Sequence, residues 1–161
     1  MKNFLRKFIS PILLLTAFAS CVSIPAPEKM REETAGFELP KKNDGKNVLV
    51  YVIRPSRLGA MIKFNVFVDT KDDIAEVGYT TGKRYIYFFV KPGPHKIFSK
   101  AENWAEIGIN GSAGETIFMR QDVSTGFLMA RNNLEIIDEL EAKYHIKNIK
   151  LGVIIKESDE K

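Results

Sequence analysis

The sequence has few of the residues that build metal centres, disulfide frameworks and thiol active sites. It contains one cysteine, Cys21, and two histidines, His95 and His145, among 161 residues. A lone cysteine cannot form an intrachain disulfide, and two widely separated histidines without cysteine partners match no zinc-finger or zincin spacing. We therefore expect no metal and no cofactor.

A serine nucleophile is poorly supported as well. Residues 110–114 read Asn-Gly-Ser-Ala-Gly, which places Ser112 near glycines as in a nucleophile elbow. The first position is Asn where that motif needs Gly, and the stretch joins two predicted strands, whereas an elbow joins a strand to a helix. The sequence thus favours a protein that is not an enzyme.

The N-terminus lacks an apolar run long enough to cross a bilayer. Three basic residues precede Phe8–Phe18, which is apolar except for two hydroxyl residues and a proline. A spanning helix needs roughly 20 apolar residues. A basic start followed by a short apolar run is typical of a secretory signal, so we predict that residues 1–20 are a removed signal peptide.

The cysteine follows this segment directly. Residues 18–21, Phe-Ala-Ser-Cys, resemble a bacterial lipobox, in which the cysteine is acylated and becomes the new N-terminus. The alternative is ordinary cleavage after Ala17-Phe18-Ala19, which releases a soluble protein. Because the chain's single cysteine stands where the lipid would be attached, we predict lipidation of Cys21. Fatty acyl chains such as palmitate would then anchor the protein to a membrane.

The charge balance argues against nucleic acid. Of the 24 Lys and Arg residues, three lie in the predicted signal peptide, which has none of the 20 acidic residues, so the remaining chain is nearly neutral. We expect no nucleic-acid partner. Val22 after the cysteine, where Asp is absent, resembles the pattern of Gram-negative lipoproteins sorted to the outer membrane. The predicted location is therefore the cell envelope, most specifically the outer membrane facing the periplasm or the surface.

Residues 21–46 are polar and rich in proline and glycine. They are typical of a flexible tether that lifts a domain from the lipid surface. The alternative is a segment that docks through Phe37 and Leu39.

Residues 47–131 contain about seven short runs with strand-like patterns. The centre is 85–99, predicted as a hairpin whose first strand is apolar on both faces and whose turn contains Pro92-Gly93. Residues 47–54 are a second doubly apolar strand, ending at Pro55. The spacing predicts a mainly β fold, a small antiparallel sandwich or partly open barrel.

In residues 132–161 the pattern changes towards a helix. Asn132 fits an N-cap, with Glu135 three residues later, and apolar residues follow at helical spacing. We predict one helix packed on the sheets, then a tail that completes the domain, with a further strand around 149–155.

Two groups of residues are candidates for binding. Arg54 and Arg57 flank Pro55 at the end of a buried strand, where a guanidinium can clamp a carboxylate or a phosphate. The alternative for Arg54 is an internal salt bridge to an acidic residue: Glu76, Glu102 or Glu106.

The second group is aromatic. Phe67, Phe98, Trp104 and Phe127 are candidates for a partner surface if no helix covers them. His95, at the start of a strand, is expected to pair with an acidic side chain or to hydrogen bond at the strand end.

These patterns also carry a resemblance. Residues 51–56 (Tyr-Val-Ile-Arg-Pro-Ser), Gly59-Ala60, the run 85–90 and Pro92-Gly93 before His95 resemble a family of bacterial lipoprotein domains of unknown function, which is similar to PEGA-type β-sandwich repeats. The resemblance covers residues 47–131 and departs from the family at Pro94. It implies a small extracytoplasmic β-domain without known activity.

Together these features favour a non-enzymatic structural or interaction module held at the cell envelope by its lipid. Its partner would be an envelope protein or peptidoglycan. An envelope hydrolase and an accessory subunit of a transport or assembly complex are the alternatives.

Overall fold

The computed structural model of the chain describes residues 24–127 and 130–157. The predicted signal peptide and Cys21 lie outside the described residues. The described part contains two helices and ten strands, with a short 3-10 turn at Asp73–Ala75. The helices are α1 (Pro27–Thr34) and α2 (Glu139–Lys147), and the strands are β1 (Val48–Arg54), β2 (Phe64–Val68), β3 (Glu76–Thr80), β4 (Arg84–Val90), β5 (Gly93–Lys100), β6 (Trp104–Gly111), β7 (Thr116–Thr125), β8 (Ala130–Ile137), β9 (Lys150–Leu151) and β10 (Val153–Ile154).

The strands form two five-stranded sheets. The first sheet has the order β8-β7-β1-β4-β9 and the second β10-β3-β2-β5-β6. The β1–β7 and β4–β9 pairs are parallel and the others antiparallel. The prediction of a mainly β fold is confirmed. The described residues contain more strands than the seven predicted, two helices where one was predicted, and sheets that are not wholly antiparallel.

The first sheet is covered on both faces, which explains why every residue of β1 is buried. Val48, Val50 and Val52 point into the core between the two sheets. Leu49, Tyr51 and Ile53 alternate with them and pack on the other face, in a second core that includes Ala142 and Ile146 of α2. The sequence prediction of a buried strand at 47–54 is confirmed.

The predicted central hairpin is wrong in its pairing. β4 lies between β1 and β9 in the first sheet, whereas β5 lies between β2 and β6 in the second. The turn at 91–93 therefore crosses from sheet to sheet, with Gly93 at φ 123°. The reason is burial: β4 is apolar on both faces and needs the doubly covered sheet, whereas the first half of β5 has an exposed face.

The segment 24–46 runs along the outer face of the first sheet. α1 lies against α2, and Phe37 and Leu39 pack on the second core. The amide of Lys41 donates a 2.9 Å hydrogen bond to the Tyr51 hydroxyl, which donates to the Lys41 carbonyl, also at 2.9 Å. This arrangement differs from the flexible tether predicted for 21–46 and matches the docking alternative through Phe37 and Leu39.

The predicted helix start at Asn132 is wrong. Residues 130–137 form β8, in which Ala130, Asn132 and Leu134 are buried at alternate positions beside β7. The helix begins one element later, where the Asp138 carboxylate accepts a 2.8 Å hydrogen bond from the Glu141 amide. Leu134 and Ile137, three residues apart, fit one face of a helix, but in β8 they lie on opposite faces of the sheet, Leu134 in the core between the sheets and Ile137 in the second core. Because both faces are covered, the apolar spacing alone could not separate the two structures.

Candidate functional site

One end of the sandwich carries a large cleft and both arginine candidates. β1 ends there at Arg54, and the loop 55–63, the turn 81–83 and the loop 101–103 lie at the same end. We call it the Arg54 end. Its cleft has a volume of about 690 Å³. The lining residues come from the N-terminal segment, the loop after β1, β7 and α2: Ile24, Pro55, Ser56, Arg57, Leu58, Arg120, Asp122, Val123 and His145.

Arg54 is fully buried beneath this loop. Its Nη1 donates to the Ile62 carbonyl at 2.8 Å, and its Nη2 donates to the carbonyls of Leu58 at 2.9 Å and Gly59 at 2.8 Å. The guanidinium also lies 3.8 Å from the centre of the Phe64 ring. Burial lowers the pKa of Arg54 to about 10, so the group stays charged at neutral pH.

The partners of Arg54 are therefore backbone carbonyls, and not Glu76, Glu102 or Glu106, the acidic residues that the sequence offered as salt-bridge partners. Both of its Nη atoms are used to hold the loop 58–62, and its Nε has no hydrogen-bond partner. Arg57 has the opposite setting, because its side chain is exposed at the cleft. The structure therefore separates the two arginines: Arg54 fixes the loop, and Arg57 remains accessible to a ligand.

Arg120 lies in the cleft at the centre of three carboxylates. Its Nε donates to Asp122 at 2.7 Å, its Nη1 to Glu141 at 2.5 Å, and its Nη2 to Glu135 at 2.5 Å. These partners raise the pKa of Arg120, with Asp122 contributing most. The guanidinium ties β7, β8 and α2 together.

His145 of α2 forms another part of the cleft wall. Its side chain is only 6% exposed, and its Nε2 lies 3.5 Å from Glu141 Oε1 without making a hydrogen bond. Burial is the main cause that lowers the pKa of His145, and the charge of Arg120 adds to it, while Glu141 opposes both. The ring is therefore neutral at pH 7 and has an unused polar atom.

We expect His145 to make folding stability pH-dependent. The unfolded chain protonates this ring near pH 6.5, while the folded protein resists protonation, so the unfolded state binds more protons in that window. Stability should fall as pH drops below about 6.5, with a slope of at most about 1.4 kcal/mol per pH unit for one proton. Urea unfolding of the wild type and His145→Gln at a series of pH values measures this slope.

A matched control is His95→Gln, since His95 is the other histidine of the chain. The pH-dependent loss should persist in His95→Gln and shrink in His145→Gln. Equal slopes in the wild type and His145→Gln would contradict the assignment.

Sequence reasoning did not predict the Arg120 cluster or the role of His145. The strand alternation of β7 places Arg120 and Asp122 on one face, and the register brings Glu135 opposite Arg120. Those neighbours depend on pairing β7 with β8, whereas residues 132–137 were predicted as helix. The contacts of Glu141 and His145 depend on where α2 packs, which one sequence does not reveal.

The aromatic candidates fall into two environments: Phe127 is exposed between β7 and β8, whereas the other three lie together on the second sheet. Phe67 and Phe98 are buried on the outer face of the second sheet, with Trp104 5.2 Å from Phe67 between ring centres. Lysines cover them: Lys71 lies 4.8 Å from the Phe98 ring, and Lys100 lies 5.4 Å from Trp104. Lysine stems therefore cover these rings in place of the helix considered from the sequence.

His95 has the acidic partner predicted for it. Its Nδ1 lies 2.8 Å from Asp69 Oδ2, and its Nε2 lies 2.8 Å from the Lys91 carbonyl oxygen. This pairing fixes the turn between β4 and β5 to the end of β2. The His95 prediction is confirmed.

Two further observations bear on binding chemistry. Within residues 24–127 and 130–157, no group of three or more His, Cys, Asp or Glu side chains is arranged to hold a metal ion. No helix in these same ranges has the length and apolarity to cross a membrane.

Comparison with known proteins gives one informative result. No family model matches the chain. The chain is similar to an uncharacterized protein of Haemophilus influenzae, with 28% identity over 152 residues, which cover 93% of this chain and 85% of that protein. The similarity therefore extends over nearly the whole length and is not confined to one motif.

Proposed function

We propose that the protein is a lipid-anchored, non-enzymatic interaction module of the bacterial cell envelope. The observation that carries the proposal is the position of the single cysteine, Cys21, directly after a basic and apolar leader in a lipobox-like sequence. The similarity to a bacterial protein along nearly the whole chain supports a bacterial setting.

The structure supports a module that works through its surface. Arg120 is fully engaged by three carboxylates, those of Asp122, Glu135 and Glu141, so its guanidinium is not available to an anionic ligand. Arg57 retains the capacity to contact a ligand as an exposed cation, whereas the unpaired Nε2 of His145 is buried in the cleft wall. Such a site suits recognition of a polar group on a partner, such as an envelope protein or a peptidoglycan peptide, more than covalent chemistry.

The docking of residues 24–46 changes the geometry of anchoring. Because this segment is packed on the domain, it adds no reach between the lipid and the folded body. Ile24 is three positions after Cys21, a distance along the chain of at most about 11 Å. The proposed lipid therefore holds the domain against the membrane surface and not at a distance from it.

The anchor is tested by Cys21→Ser. The wild type should yield an N-terminal peptide starting at Cys21 with added acyl mass, and should fractionate with membranes. Cys21→Ser should lose the acyl mass, and it should not be labelled by a palmitate analogue. Ser23→Ala, a change just outside the motif, should leave lipidation intact. A wild-type protein with an unmodified thiol in the aqueous fraction would overturn the proposal.

A further inference from the structure

We propose that the Arg54 end of the sandwich is a membrane-contact surface, in which Leu58, Met61 and Phe127 insert into the lipid interface. We call these three residues the contact surface. The inference rests on the proposed function, because it requires the anchor at Cys21. It adds the orientation of the domain and the residues that touch lipid.

The contact surface is apolar and open. Leu58 is 50% exposed, Met61 91% and Phe127 93%. Side chains of this kind at such exposure are costly to leave in water when they are grouped at one end of a small domain. They are also the residue types that enter the headgroup and acyl boundary.

The fold brings the three residues to the same end. The guanidinium of Arg54 holds the loop that carries Leu58 and Met61 through the carbonyls of Leu58, Gly59 and Ile62. This loop touches the start of β8, since a β-carbon on Gly59 would lie 3.1 Å from the Ala130 β-carbon. Phe127 is three positions away from Ala130, between β7 and β8.

The β7–β8 hairpin extends past the neighbouring strand. Ile53 pairs with Arg120, so Arg54 is level with Gln121 and β7 continues to Thr125. Four more strand residues project roughly 13 Å beyond the end of β1. Phe127 therefore lies beyond the end of β1, beside the loops 55–63 and 101–103, which reach Ala130 at the start of β8.

The position of the first described residue, Ile24, indicates that a bilayer covers this surface. Ile24, the first described residue, lines the cleft at the Arg54 end together with Leu58. Residues 1–23 precede it, and the proposed lipid on Cys21 is within about 11 Å of Ile24 along the chain. A bilayer that holds this lipid must lie close to Leu58.

Exposed charges at the same end complement a bilayer. Lys83 and Arg131 are exposed there, and basic residues near an anionic lipid surface are attracted to it. The carboxylate of Glu102 accepts a 2.9 Å hydrogen bond from the Phe127 amide. The end therefore combines an apolar tip with exposed cations and one carboxylate, that of Glu102, which holds the Phe127 backbone.

Exposed aliphatic side chains also lie elsewhere in the described residues. Ile74 is exposed in the connection at the opposite end of β2 and β3. Val153 pairs with Tyr79 and Leu151 pairs with Tyr85 at the sheet edges, and neither lines the cleft that contains Ile24. Leu58 of the contact surface does line that cleft, next to the point where the proposed lipid joins the chain.

The orientation is measured with single-tryptophan variants of the lipidated full-length protein, purified from membranes after its acyl mass is confirmed. Trp104 is the single tryptophan, so Trp104→Phe with Phe127→Trp places one reporter at the contact surface. Trp104→Phe with Ser112→Trp places a matched reporter at the opposite end. Both proteins are reconstituted in phosphatidylethanolamine and phosphatidylglycerol vesicles, with and without brominated acyl chains.

We expect about a twofold or larger loss of emission from residue 127 in brominated vesicles, since insertion by roughly 5–10 Å brings the ring to the acyl chains. Emission from residue 112 should change little. Absence of quenching at 127, or equal quenching at both positions, in a protein that carries its lipid would overturn the contact surface and leave the anchor intact. An unmodified Cys21 in the mass spectrum would overturn the anchor and the inference together.

Discussion

Replacing Arg54 by methionine should lower the free energy of unfolding by about 3 kcal/mol, which is a large part of the stability of a domain this size. The guanidinium is fully buried and satisfies the carbonyls of Leu58, Gly59 and Ile62. Methionine fills much of the volume but donates no hydrogen bond, so these carbonyls lose their partner inside the protein. Urea unfolding followed by circular dichroism measures the loss.

Two variants show whether the geometry of the guanidinium is the cause. Arg57→Met removes an exposed arginine from the same loop and should change stability by no more than about 0.5 kcal/mol. Arg54→Lys retains a charge, but a single ammonium cannot reproduce the planar fork that reaches three carbonyls, so it should recover little stability. A loss below about 1 kcal/mol in Arg54→Met would show that the loop is held by other contacts.

The sequence predicts the β content well because strands that are buried on both faces consist almost entirely of apolar residues. The runs 48–54 and 84–90 are apolar at nearly every position, which requires a sheet covered on both faces. The pattern does not say which strands pair. Pro92-Gly93 has the composition of a hairpin turn, yet here the chain uses it to pass from one sheet to the other.

The N-terminal segment shows a different limit. Residues 24–46 have the composition of a linker, because only a few of their side chains are apolar. Phe37 and Leu39 nevertheless find a complementary surface on the second core. That surface exists only after α2 has packed on the first sheet, so a local pattern cannot reveal it.

The candidate site was predictable only in part. Arg54 and Arg57 stand out in the sequence because an arginine at the end of an apolar strand is unusual. Their different roles depend on whether the loop 58–62 folds over one of them. Arg120 and His145 stand out less, since an alternating charge on a strand and a histidine on a short helix are ordinary surface features until β8 and α2 bring carboxylates beside them.

A buried polar network joins the two sheets across the core. Gln121 of β7 is fully buried, and its Nε2 donates a 2.6 Å hydrogen bond to Ser99 Oγ of β5. The hydroxyl of Thr80 in β3 donates to Gln121 Oε1. Thr80 and Ser99 are fully buried too, so one amide side chain satisfies both hydroxyls and aligns the sheets.

Replacing Gln121 by leucine should lower the free energy of unfolding by about 3 kcal/mol. Leucine has a similar bulk, is one bond shorter and cannot accept or donate, so the Thr80 and Ser99 hydroxyls lose this partner in the core, at about 1–3 kcal/mol for each group. Ser124→Ala, at an exposed position of the same strand, should stay within about 0.5 kcal/mol of the wild type. Urea unfolding of the three proteins gives these differences.

The triple variant Thr80→Val, Ser99→Ala, Gln121→Leu separates two explanations of that loss. If the cost comes from unsatisfied hydroxyls, removing all three polar groups should restore most of the stability, because an apolar replacement of a whole buried network is close to neutral. If leucine instead packs badly between the sheets, the triple variant should be at least as unstable as Gln121→Leu. That result would show that side-chain packing determines how the two sheets align. The hydrogen bonds of Gln121 would then be a consequence of this packing.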